Sequence, residues 1–102
     1  ADGSTINERR RIAQYGVIAV AVVLDGGGKL ATDPEIRIQG IPVEEDRAAF
    51  IREAEEAVEA VIGKGAANED ALREALRLGV RRVATEWTGK KPIVEVMLLR
   101  VD

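Results

Sequence analysis

The chain has 102 residues, 46% apolar and 32% charged, with a net charge of −3, which fits one soluble domain with a modest core (1–102) and argues against a general nucleic-acid or membrane-surface binder. No apolar run is long enough to span a bilayer, and the polar N-terminus carries no secretory signal. Histidine and cysteine are both absent, which removes the usual general base, the thiol nucleophile, most zinc ligands and any disulfide framework, and fits a reducing compartment such as the cytoplasm.

In chain order, Thr5-Ile6-Asn7-Glu8 reads as a capping box opening a short helix that carries Arg9-Arg10-Arg11 and stops near Gly16. Val17–Leu24, "VIAVAVVL", is a strand, and Asp25-Gly26-Gly27-Gly28-Lys29 is a hairpin turn. The return strand is expected over 29–39; Ile36 and Ile38 share one face, and the other is polar. Gly40-Ile41-Pro42 ends it. Glu44-Glu45-Asp46 then opens a helix to about Ile62, with Phe50, Ile51, Ala54, Ala57, Val58 and Val61 as its apolar arc. Asn68 caps the next helix, whose stripe is Leu72, Leu76, Val80, Val83 and Trp87. Gly89 and Pro92 close it, and a last strand covers Ile93–Val101.

The order α-β-β-α-α-β predicts an α+β fold: a three-stranded mixed sheet, first strand central, with two long helices packed on one face. The first strand is apolar on both sides. Val17, Ala19, Ala21 and Val23 form one set; Ile18, Val20, Val22 and Leu24 form the other. The last strand adds Ile93, Glu95, Met97 and Leu99 on one side and Val94, Val96 and Leu98 on the opposite side. Two helices cover one sheet face, and an open two-strand patch of roughly 10 Å by 25 Å approaches the size of an interaction site. Either the N-terminal helix covers it through Ile6, Ile12 and Tyr15, or a partner does. Val17, Ala19, Ala21, Val23, Ile93, Glu95, Met97 and Leu99 are the candidate interface, to a second copy or to another part of a larger chain.

Charge is uneven along the chain. Residues 44–62 hold seven acids against two bases, and residues 73–91 hold six bases against two acids. The plain expectation is pairing between the two helices along their exposed edges. The functional one is a phosphate-tracking surface formed by Arg73, Arg77, Arg81, Lys90 and Lys91. Gly63-Lys64-Gly65-Ala66 lies between two helices, in the element order of a type II KH domain, so a KH-like RNA-binding module is the alternative. That module's loop wants glycine at position 66, and acids Glu69 and Asp70 follow here. Asp25-Gly-Gly-Gly-Lys29 lacks phosphate-loop spacing, and Trp87 reads as core. No carboxylate pair or metal constellation stands out.

The assembled order resembles a family. Arg9-Arg10-Arg11, then "YGVIAVAVVLD", a glycine turn with "GKL", "DPEIRIQGIPV" ahead of an acidic helix, and the closing "KKPIVEVMLLRV" resemble the C-terminal domain of ribonuclease J. Pro34, Glu35, Ile36, Gly40 and Val43 stand where that family's segment before the helix carries proline, acid, isoleucine, glycine and valine. Gln39 and Ile41 depart from its usual arginine and aromatic. The resemblance implies a parent enzyme of the metallo-β-lactamase/β-CASP class, a zinc-dependent endonuclease and 5′→3′ exonuclease of RNA processing and decay. Its zinc ligands would lie in an N-terminal catalytic region. This chain would then be a non-catalytic domain supporting assembly, meeting RNA through the parent and carrying no cofactor itself.

Overall fold

The computed structural model describes residue 10 and residues 15–101. The capping box, the short N-terminal helix and the cover expected from Ile6 and Ile12 lie outside the described residues. Within them, β1 (Val17–Leu24) is the central strand, β2 (Glu35–Gln39) pairs antiparallel to it, and β3 (Ile93–Arg100) pairs parallel to it. The sheet is mixed, in the order β2-β1-β3, with α1 (Arg47–Lys64) and α2 (Glu69–Thr88) on one face. This is the architecture expected from the element order.

The return strand is shorter than the expected 29–39. Leu30 bridges back to Leu24, but the ladder proper begins only at Ala21 and Glu35. Between those pairings the return chain carries two residues more than β1, so 31–34 bow outward. Pro34 has no N–H to give a ladder. The turn is fixed by Asp25, whose carboxylate accepts from the N–H groups of Gly27 (2.8 Å) and Lys29 (3.1 Å).

The acidic run Glu44–Asp46 forms a 3-10 turn, and the α-helix starts one residue later, at Arg47. Helix α1 ends at Gly65, whose N–H still donates to the Val61 carbonyl and whose positive φ turns the following chain out of the helix. Asn68 caps α2 as expected: the N–H of Ala71 donates to its side-chain oxygen at 2.8 Å. Gly89, in the left-handed region, closes α2.

The core lies between helices and sheet. Phe50, Ala54 and Val58 of α1 and Leu72, Leu76, Val80, Val83 and Ala84 of α2 bury against Ile18, Val20, Val22, Leu24 and Val94. Trp87 stands edge-on to Phe50, with ring centres 5.7 Å apart. Its indole N–H donates to Glu53 at 2.8 Å, tying the two helices. The expected pairing of an acidic helix with a basic one does not occur among the described residues. Arg73 and Arg77 of α2 instead pair with acids of their own helix, at the i,i+3 and i,i+4 spacings that bring helical side chains together.

Candidate functional site

The face of the sheet turned away from the helices is built by strand alternation. Every second residue of β1, from Ile18 to Leu24, is buried under the helices; the residues between them point the other way. Strand register orders the open side into rows. Gln39, Val17 and Ile93 form the first; Arg37, Ala19 and Glu95 the second; Glu35, Ala21 and Met97 the third; Val23 and Leu99 the last.

All eight candidate interface residues therefore fall together on one face. Val17, Ala21, Val23 and Ile93 are half-buried, and Ala19, Glu95, Met97 and Leu99 are exposed. Met97 (59%), Leu99 (50%) and Val101 (48%) are the large apolar side chains most open to solvent among the described residues. The relief is uneven. Alanines 19 and 21 on β1 form the floor of a trough of about 310 Å³; Glu35 and Arg37 wall it on one side, Glu95 and Met97 on the other. β3 thus stands as a ridge beside the β1 trough. Arg37 and Glu35 form an exposed ion pair at 3.2 Å.

The sequence reading missed Glu35 and Arg37 as members of this face. The strict alternation of Glu35-Ile36-Arg37-Ile38-Gln39 carried the signal: with Ile36 and Ile38 toward the helices, the charged positions must face outward beside the β1 alanines.

The cationic candidates do not converge. Arg73 pairs with Asp70 at 3.4 Å and Glu69 at 3.9 Å. Arg77 grips Glu74 with two hydrogen bonds of 2.7 Å. That grip holds the Glu74 carboxyl below its ordinary value and raises the Arg77 guanidinium. Arg81 lies one turn further on. Lys90 sits past the C-terminus of α2, 5.8 Å from the centre of the Tyr15 ring, with Lys91 next to it in sequence. At 1.5 Å per helical residue, Arg73 and Lys90 are roughly 25 Å apart. In the Gly63-Lys64-Gly65-Ala66 connection, the Gly65 N–H is already donated to Val61, so it does not point outward.

The sequence has no histidine or cysteine, and no three acids come together among the described residues. No described helix is long and apolar enough to cross a membrane.

Two comparisons bear on this geometry. Residues 4–101 match the family model described as "Ribonuclease J C-terminal domain". A protein named ribonuclease J from Sinorhizobium meliloti (strain Sm2011 / Rm2011 / 2011) is 32% identical over 103 residues. The match covers 94% of this chain but 18% of that protein.

Proposed function

The chain belongs to the ribonuclease J C-terminal domain family, and from that premise we propose that it is a non-catalytic assembly domain of a zinc-dependent endo- and 5′→3′ exoribonuclease of cytoplasmic RNA processing and decay. The observation that carries this reading is the open sheet face. A row of apolar side chains on β1 and β3 faces away from the helices, and Met97 and Leu99 are half or more exposed. An apolar patch of this kind on a small domain marks a surface for another polypeptide. The residue inventory agrees, since neither histidine nor cysteine is present to build a hydrolytic centre.

Met97→Lys tests the reading. The substitution lies on the exposed ridge, so the domain's own stability should change by no more than about 0.5 kcal/mol. In the longer ribonuclease, sedimentation should show smaller assemblies, and RNA hydrolysis per chain should fall. Assembly and activity both unchanged would remove the open face from the function.

A further inference from the structure

Away from the open face, we infer a binding site for a nucleoside monophosphate, free or at the end of an RNA strand, in the cleft between the β1–β2 hairpin turn and the end of α1. The cleft lies at the carboxyl ends of the parallel strands β1 and β3. Its volume is about 570 Å³, within the roughly 300–1,000 Å³ of small-molecule sites. Leu24 and Leu72, both buried, and Leu30 and Ile62, half-buried, give it an apolar floor. Three bases and one acid stand around that floor: Lys29, Lys64, Arg100 and Glu59. Arg100 is already engaged, donating to Glu69 at 3.1 Å. Lys29 and Lys64 are exposed and form no ion pair among the described residues. Two unneutralised ammonium groups from different elements thus meet one apolar cleft, which suits an anion attached to an apolar or planar body.

The backbone narrows the class. In the hairpin turn, the N–H groups of Gly27 and Lys29 are given to the Asp25 carboxylate and that of Gly28 to the Asp25 carbonyl, so the lysine side chains must hold the anion. The α1 wall has the opposite character, because the last carbonyls of a helix lack intrahelical donors. Val61 accepts from Gly65, but the Ile62 and Gly63 carbonyls receive no backbone N–H among the described residues. With Glu59 they offer acceptors to a ligand's N–H groups. Phosphate, flat body and amino donors occur together in a nucleotide; inorganic phosphate would leave the floor and the acceptors unused. Gly63 supports the same reading. It lies inside α1 without a positive φ, where glycine costs up to about 1 kcal/mol relative to alanine. A Cβ there would meet nothing within 4 Å. Neither conformation nor packing within the domain requires glycine at this position, whereas a ligand lying close against the helix wall does.

An amide NMR titration of this chain with adenosine monophosphate, adenosine, inorganic phosphate and a short oligoadenylate is the test. Adenosine monophosphate should shift the amides of Gly27, Gly28 and residues 63–66 saturably, and bind more tightly than adenosine or phosphate alone. Lys29→Glu and Lys64→Glu should each weaken it about tenfold, the worth of one charge-assisted hydrogen bond. Gly63→Leu fills the cleft while improving helix propensity, so binding should vanish with thermal unfolding unchanged or higher. An oligoadenylate that gives the same shifts and binds more tightly than the mononucleotide supports a site for a strand end; equal or weaker binding supports one for the free nucleotide. No saturable shift at millimolar nucleotide, phosphate that binds as tightly as the nucleotide, or a Gly63→Leu chain that still binds would each overturn the proposal. None of these results bears on the open face, whose Met97→Lys test stands apart.

Discussion

Gly16 occupies a tight backbone position. Its φ is +84°, and a Cβ there would lie 2.7 Å from the Gly40 carbonyl oxygen and 2.8 Å from that of Gln39. The crowding arises because the end of β2 and the start of β3 both close on this point, where the Gly16 carbonyl accepts from the Ile93 N–H at 3.2 Å. Gly16→Ala combines left-handed strain with a backbone clash and should destabilise by about 2–4 kcal/mol in denaturant unfolding. Gly89→Ala meets no neighbour at its own positive φ, so only strain remains, at about 1 kcal/mol. At the same scale, the Arg77 hydrogen bonds lower the carboxyl of Glu74. A group depressed in the folded state stabilises it above its unfolded value, and that contribution disappears as pH falls through the folded value. Carbon-detected titration should show Glu74 protonating later than free glutamate on acidification, and Arg77→Ala should move it back up.

Helix α2 shows what the sequence dictates at the scale of an element. Its start rests on one side-chain oxygen, so Asn68→Ala should lower stability by about 1 kcal/mol. Its contact with α1 rests on Phe50 packed under Trp87. Phe50→Ala should cost about 3–5 kcal/mol and shift the fluorescence of Trp87, the sole tryptophan, toward the red as water reaches it. Both helices were legible because their stripes, caps and stop signals agree: Asn68 and Gly89 mark the ends of α2 at the residues where it begins and closes. β2 was legible only in part. Alternation identified Glu35–Gln39, but nothing local to Leu30-Ala31-Thr32 showed that two residues would bow out, since that depends on where β1 pairs. The ion pairs were misjudged for a related reason. Counting charges along two helices shows opposite sign, whereas distance along one helix decides which groups meet. The eight apolar-face positions followed from period two alone. The ridge and trough did not, because relief across strands exists only once Ala21 lies beside Met97.

At the scale of the molecule, two layers account for everything described. The Cα extents are 39 × 36 × 18 Å, a slab one sheet and one helix layer deep. Among the described elements this slab has one interior, and it lies on the helix side of β1. Val20→Ala and Ala21→Ser separate the two sides. The first opens a cavity under the helices and should destabilise by about 1–3 kcal/mol. The second changes the outer face and should leave thermal unfolding nearly unchanged while reducing association. The strand order has a further consequence, for how the chain comes to be made. β1 emerges from synthesis before any other described element, yet its parallel neighbour β3 is made after β2, α1 and α2. The greasiest segment of the domain therefore waits longest for one of its two edges to be closed, and such non-local closure is slow. A nascent chain halted before Ile93 should bind a hydrophobic-segment chaperone or precipitate, and release of the full length should end that exposure within the time of a single refolding step.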